Sequence, residues 1–260
     1  MAYNALKLET SAEIAILTFD RPEKRNAIST EMIEELMAAL DAAEGSASRV
    51  LILTGAGKAF CSGMDLEALK SLASQSHEEN LEDSRRMARM FRRIWSFPKP
   101  TIAAVNGAAI AGGCGIATLC DFTLAVPEAK FGYSEVRIGF IPALVSVFLT
   151  RQLGEKRARD LLLTGRVIEA GEAHRIGLVT QLVSSEELMN AARTLAATLL
   201  ASSPTSIART KRLLFDFAAA DVDRELGLAI TENAQIRSTQ DFREGLSSFL
   251  EKRPPQWSGK

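Results

Sequence analysis

Hydrophobic positions along this chain follow two periods. Leu6 to Glu9 and Ile14 to Phe19 alternate in part, are separated near Glu13 and are closed by Asp20-Arg21-Pro22, which predicts a pair of strands. Val50 to Thr54, Thr101 to Val105 and Phe122 to Val126 are almost wholly apolar, and each runs into a turn: Gly55-Ala56-Gly57, Asn106-Gly107 and Pro127. The helical period appears after Ser29, a predicted N-cap with Glu31 in the first turn. Ile33, Leu36, Met37 and Leu40 share one face, with Glu34, Glu35 and Asp41 opposite. Short buried strands alternating with helices predict an α/β architecture whose sheets are covered on both faces. The three strand-plus-turn units suggest a repeat, although their sequences share too little to define one.

Glu67 to Met90 is polar, with Ser71, Ser74 and Ser76 near His77, and leads into Arg85, Arg86, Arg89, Arg92 and Arg93. That pattern suits either a segment lying over a site or an ordinary surface helix. Pro98 and Pro100 end whatever helix precedes them. Leu144 to Leu149 and Ala158 to Leu163 read as helical core, the second closed by Gly165. Glu186 to Leu200, Thr205 to Ala219, Asp221 to Ile236 and Phe242 to Glu251 are helix-length segments. They predict a core over 1–200 and a helical region over 201–260.

Composition narrows the class. A chain of 260 residues, 47% of them hydrophobic, buries a core without disulfide or metal staples. Its 31 basic and 32 acidic residues are scattered, and the helix over Ile28 to Glu44 is acidic, so no nucleic-acid partner is expected. Cys61, Cys114 and Cys120 are odd in number and lie in apolar or glycine-rich surroundings, which fits a reducing, cytoplasmic setting. No leader pattern occupies Met1 to Thr10 and no apolar run approaches about 20 residues, so neither export nor a membrane partner is expected. His77 and His174 are the only histidines and lack ligand spacing, so no metal site is expected.

Two segments place glycines directly after buried strands: Lys58-Ala59-Phe60-Cys61-Ser62-Gly63-Met64-Asp65-Leu66, and Asn106 through Gly112-Gly113-Cys114-Gly115. Small residues let a main chain turn sharply and leave N–H groups free to donate to developing negative charge on a carbonyl oxygen. Close packing of a helix on a sheet is the alternative. Neither segment ends as a phosphate loop, and the second does not open a dinucleotide-binding unit.

These segments resemble the two signature regions of the enoyl-CoA hydratase/isomerase, or crotonase, superfamily. The resemblance extends through Cys120-Asp121, Lys130-Phe131-Gly132-Tyr133-Ser134-Glu135-Val136-Arg137-Ile138-Gly139-Phe140-Ile141-Pro142 and Leu161-Leu162-Leu163-Thr164-Gly165-Arg166. With Arg21-Pro22-Glu23-Lys24-Arg25-Asn26-Ala27 and Asp241-Phe242-Arg243-Glu244-Gly245, it spans nearly the whole chain. It implies a crotonase-like spiral of β-β-α units with a C-terminal helical region for trimerisation, giving a homotrimer or, where trimers pair, a homohexamer. It further implies an acyl-CoA thioester substrate, as in fatty acid metabolism, and no separate cofactor, since coenzyme A is part of the substrate. Carried over by position, the oxyanion donors are the backbone N–H groups of Met64 and Gly112, and the catalytic carboxylate is Glu135. Coenzyme A would meet Ala59, Cys61, Met64, Asp65 and Leu66 through the backbone around them, and Lys24 and Arg25 at its phosphates. Phe249 and Lys252 would reach a nucleotide bound mainly by a neighbouring subunit.

One position departs from the pattern. Hydratases of this superfamily carry a second carboxylate after the glycine cluster, and here that residue is Gly115. The chain resembles a glycine-bearing branch that includes methylglutaconyl-CoA hydratases, so hydration of a 2-enoyl-CoA with Glu135 as acid and base is the expected activity. The alternatives are a 3-enoyl-CoA to 2-enoyl-CoA isomerase using Glu135 alone, another enolate reaction such as decarboxylation or thioester hydrolysis, or a non-catalytic acyl-CoA-binding protein. Dienoyl-CoA isomerisation is disfavoured because the expected downstream acid falls in the Ala143 region.

Overall fold

Alternation in the first two runs gives each strand one face for the core, and in the computed structural model, which describes residues 3–260, they pair antiparallel. These are β1 (Leu6–Thr10) and β2 (Ile14–Phe19), with Leu8 opposite Leu17. The all-apolar runs form the interior of the same sheet. β2 pairs in parallel with β3 (Val50–Gly55), β3 with β5 (Thr101–Val105), β5 with β7 (Phe122–Ala125), and β7 with β10 (Gln181–Leu182).

A second sheet was not anticipated from periodicity. It consists of β4 (Ala59–Cys61), β6 (Ala108–Ile110), β8 (Lys130–Gly132) and β9 (Val167–Glu169), in that order. Three residues are too few to display a period of two, so such strands are invisible to pattern reading. The repeat now has a physical definition. β3, β5 and β7 in the larger sheet are each followed by β4, β6 and β8 in the smaller one, so the chain winds as a spiral of paired strands.

Helices cover this body. α1 (Thr30–Gly45) begins where the Ser29 hydroxyl accepts the Met32 N–H at 3.2 Å, and it buries Met32, Ile33, Leu36 and Leu40. The polar stretch after β4 resolves into α2 (Leu66–Leu72) and α3 (His77–Trp95); of the Leu66 side chain nothing is described. α3 starts on a reciprocal cap in which Ser76 and Glu79 satisfy each other's backbone N–H, an arrangement that stabilises a helix by about 1 kcal/mol. α4 (Gly112–Leu119) is buried along nearly its whole length. α5 (Ala143–Leu153), α6 (Glu155–Thr164) and α7 (Ala170–Arg175) follow, α6 ending at Gly165 in the left-handed conformation as the sequence suggests.

α8 (Leu188–Leu200) packs on β3, β5 and β7, and α9 (Pro204–Asp216) follows the turn near residue 202. α10 (Ala219–Gln235) lies against α3 and α5 and contributes Val222, Leu226 and Ala229 to the main core, so the C-terminal helices are joined to the body. α11 (Gln240–Glu251) closes the chain over the segment containing Glu135. Among the described residues no helix is long and apolar enough to cross a membrane.

Candidate active site

Met64, Gly112 and Glu135 are far apart in sequence, yet each follows the C-terminal end of a strand in the smaller sheet. Met64 is three residues past β4, Gly112 two past β6, and Glu135 three past β8. β4 pairs with β6 and β6 with β8, all in parallel, so the three turns emerge side by side, at the edge where open α/β sheets bind ligands. All three residues line one cavity of about 530 Å³.

The two glycine-rich turns share a device. Met64 is preceded by Gly63 at φ 90° and Gly112 by Ala111 at φ 52°, both in the left-handed half of backbone space. A side chain on Gly63 would press on the Ala111 β-carbon and the Ile110 carbonyl, each at 3.1 Å, so the turns support one another. Around Met64 the flanking groups are spent: the Ile28 N–H donates to the Gly63 carbonyl and the Asp65 N–H to the Ile28 carbonyl. The Met64 N–H itself donates to no acceptor among the described residues. The Gly112 N–H is the first of α4 and likewise has none, as the geometry of a helix start dictates. Gly113 has the other role that the sequence allows: its α-carbon lies so near the Cys61 carbonyl that a β-carbon would stand 2.2 Å from that oxygen.

Glu135 opens a short 3-10 helix, Glu135–Ile138, and is 9% exposed. Its Oε2 is buried and has no hydrogen-bond partner among the described residues. Burial pushes the carboxyl up to about 7, against the opposing pull of its own backbone N–H. Such a group exchanges protons readily near neutral pH. The helix carrying it is clamped from outside. Gly139 ends it at φ 66° against the Asp241 carbonyl, and Gly245 of α11 packs on Ile138 so closely that a β-carbon would stand 2.3 Å from that carbonyl. The resemblance of Asp241 to Gly245 to the family pattern therefore has a physical basis in holding Glu135.

Gly115 lies on the second turn of α4, where Val145 of α5 and Phe91 of α3 occupy the space a side chain would need. Both line the cavity, so an apolar wall stands where a second carboxylate is expected. Cys114, beside it, is buried and its thiol is pushed up to about 12 by burial, as are Cys61 and Cys120. These are packing residues rather than nucleophiles.

The proposed coenzyme A contacts divide. Lys24, Arg25, Met64, Asp65 and Phe249 line the cavity, Phe249 being 55% exposed on its own chain's α11. Ala59 and Cys61 are buried in β4, and the Ala59 carbonyl already accepts the Asn26 side-chain amide at 2.8 Å. Asp65 caps α2 through the Glu67 N–H and pairs with Arg21 at 3.0 Å. Leu66 begins α2, and Lys252 is the exposed left-handed cap of α11, away from the cavity lining. Sequence reasoning missed the part played by Asn26. Fully buried, it accepts the Arg21 N–H at 2.9 Å and donates to the Ala56 and Ala59 carbonyls, which fixes the loop that carries Lys24 and Arg25 to the cavity mouth. It also missed Asn233 and Arg237, two buried polar residues on the cavity wall. Among the described residues no group of three or more His, Cys, Asp or Glu is placed to hold a metal ion.

Known proteins resemble this chain over nearly its full length. The family model for enoyl-CoA hydratase/isomerase matches residues 9–260. A Thermus thermophilus protein provisionally named an enoyl-CoA hydratase is 44% identical, over 94% of this chain and 97% of its own. A crotonyl-CoA hydratase of Syntrophomonas wolfei is 35% identical over 100% of both chains. The crystal structure of an enoyl-CoA hydratase/isomerase from Xanthobacter autotrophicus Py2 superposes with a TM-score of 0.88 at 32% identity, covering 97% of this chain and 98% of the other. Matched by the family model over residues 9–260 and by these relatives over nearly its full length, the chain belongs to the enoyl-CoA hydratase/isomerase family.

Proposed function

We propose that this protein adds water across the C2–C3 double bond of a 2-enoyl-CoA thioester, with Glu135 as both base and acid. The observation that carries this reading is a buried carboxyl with an oxygen that has no partner among the described residues, lining the same cavity as two backbone N–H groups that have no acceptor among them. The thioester oxygen takes hydrogen bonds from Met64 and Gly112. The oxygen of water bonds to C3 while one of its protons passes to ionised Glu135, and the π electrons move onto the thioester as an enolate that the two N–H groups stabilise. Glu135 then returns that proton to C2. Water has been added and the carboxylate is regenerated. The names of the Thermus and Syntrophomonas relatives support hydration as the favoured reaction.

Isomerisation of a 3-enoyl-CoA is the second reading, favoured by the apolar wall at Gly115. One carboxylate suffices to take a proton from C2 and return it at C4, and no water needs holding. We place the phosphates of coenzyme A near Lys24 and Arg25 at the cavity mouth. We assign assembly, as trimers or paired trimers, to 201–260, supported by exposed Leu213, Leu214 and Phe217 around α9, a helix that buries none of its residues within the chain. The setting is cytoplasmic in this reading.

Product analysis tests the choice. Purified protein incubated with matched 2-enoyl- and 3-enoyl-CoA thioesters should convert the first to a product one water heavier, faster than it converts the second to an isomer of equal mass. Faster conversion of the 3-enoyl substrate reverses the order, and binding without turnover of either favours a non-catalytic role.

A further inference from the structure

The cavity is apolar over much of its wall, but one buried patch is not. Asn233 on α10 is 5% exposed and Arg237, one turn further on, is 2% exposed; both line the cavity that holds Glu135. Lys24, by contrast, sits at the open mouth with 48% of its side chain exposed.

The hydrogen bonds of this patch leave a defined surplus. Asn233 Oδ1 accepts from Ser84 Oγ and from Arg237 Nη2, each at 2.7 Å. Arg237 Nη1 donates to Asn80 Oδ1 at 3.0 Å and lies 2.9 Å from Asp83 Oδ2, near enough for an ion pair though off the angle of a hydrogen bond. Asn233 Oδ1, Asn80 Oδ1 and Asp83 Oδ2 are thus all turned towards the guanidinium. Among the described residues Arg237 Nε, fully buried, has no partner, and the Asn233 amide nitrogen donates to none. Phe140, another cavity residue, carries the guanidinium over its ring at 5.6 Å, leaving the arginine plane supported on one side by an aromatic face. Asp83 Oδ2 also lacks a hydrogen bond but is held in the ion pair, so the groups left without an acceptor among the described residues are the Arg237 Nε–H and the Asn233 amide N–H.

A buried donor without an acceptor, as at Arg237 Nε, is costly, and a site built around one discriminates against a ligand that cannot accept. We propose that Asn233 and Arg237 select an acyl group bearing an oxygen acceptor beyond C3, a hydroxyl, carbonyl or carboxylate on the distal part of the chain, over a plain hydrocarbon chain of equal length. The inference rests on the acyl-CoA reading of the cavity and names the substrate class within it. Asp83 already balances the charge of Arg237, so a neutral oxygen needs no further cation, whereas a carboxylate would share the guanidinium with Asp83.

Saturated acyl-CoA thioesters test this without turnover. Affinities of the intact protein would be measured by calorimetry for straight-chain thioesters from butyryl to octanoyl, and for the same chains ending in a hydroxyl or a carboxylate. The expected result is at least tenfold tighter binding of one oxygenated series at the chain length that reaches Arg237, and the better end group tells neutral from charged acceptors. Asn233→Leu and Arg237→Met should each cut that preference severalfold while the plain-chain affinity is held or improved. Equal or weaker binding of both oxygenated series by the wild-type protein overturns the proposal. So does a preference that survives both substitutions, which would leave Arg237 only fastening α10 to α3. If no acyl-CoA binds at all, the reading of the cavity fails first and this inference with it.

Discussion

A β-carbon at Gly115 would lie 2.7 Å from Cγ1 of Val145, inside any tolerable contact distance. The glycine is therefore matched to its neighbour, and the second carboxylate is absent together with the space to hold one. Gly115→Glu should destabilise the fold by about 1 to 3 kcal/mol through overpacking and should not raise the hydration rate. Gly115→Glu combined with Val145→Ala removes the clashing methyl and should regain most of that stability. Chemical denaturation of the single and double variants measures both, and equal stability of the two would show that Val145 does not fill the position.

In the proposed mechanism, ionisation of Glu135 sets the pH dependence of the reaction. Water addition begins with the carboxylate, so kcat/KM for a 2-enoyl-CoA should rise with pH and level off above about 7, where burial has moved the group. A profile flat from pH 5 to 8 would mean that another group accepts the proton.

Stability should carry the opposite sign. The carboxyl sits at about 7 when folded against an ordinary 4.5, so the unfolded chain ionises first as pH rises. The native state is penalised progressively between about 4.5 and about 7, and fully above that. Glu135→Gln removes the penalty, and it should stabilise the protein at pH 8 by up to roughly 3 kcal/mol while matching wild type at pH 4.5. Thermal unfolding at the two pH values tests this; a variant less stable at pH 8 would contradict the buried, unpartnered state of the carboxyl.

Gly245 should matter to catalysis without touching substrate. Its α-carbon packs on the Ile138 carbonyl, so Gly245→Val must push α11 away from the helix that presents Glu135. Displacements near 1 Å at a reacting group can cost about a hundredfold. The expected outcome is a large fall in kcat with a smaller change in KM, and unaltered kcat would remove α11 from the positioning of Glu135.

Much of this was legible in the sequence, for reasons that differ by element. β5, over Thr101–Val105, and the Ser29 cap of α1 were readable because a continuous apolar run and an N-cap hydroxyl are local signals. Met64, Gly112 and Glu135 were located through the family resemblance, and composition alone left their turns open between ligand contact and close packing. Both features occur within four residues of α4: the Gly112 N–H has no acceptor among the described residues, while Gly113 and Gly115 make room for Cys61 and Val145. The smaller sheet was hidden because its strands are three residues long. Asn233 and Arg237 were hidden because their partners, Asn80, Asp83 and Ser84, lie about 150 residues earlier in α3, and a polar residue on a helix reads as solvent-facing until the helix packed against it is known.

Single-turnover hydration of a short 2-enoyl-CoA by wild-type protein and by Glu135→Gln tests the central role of Glu135 most directly. With one carboxylate both taking the proton from water and returning it to C2, the substitution should lower the rate by about 10² to 10⁴ while leaving thioester affinity within a few fold. A variant that hydrates at the wild-type rate would contradict it.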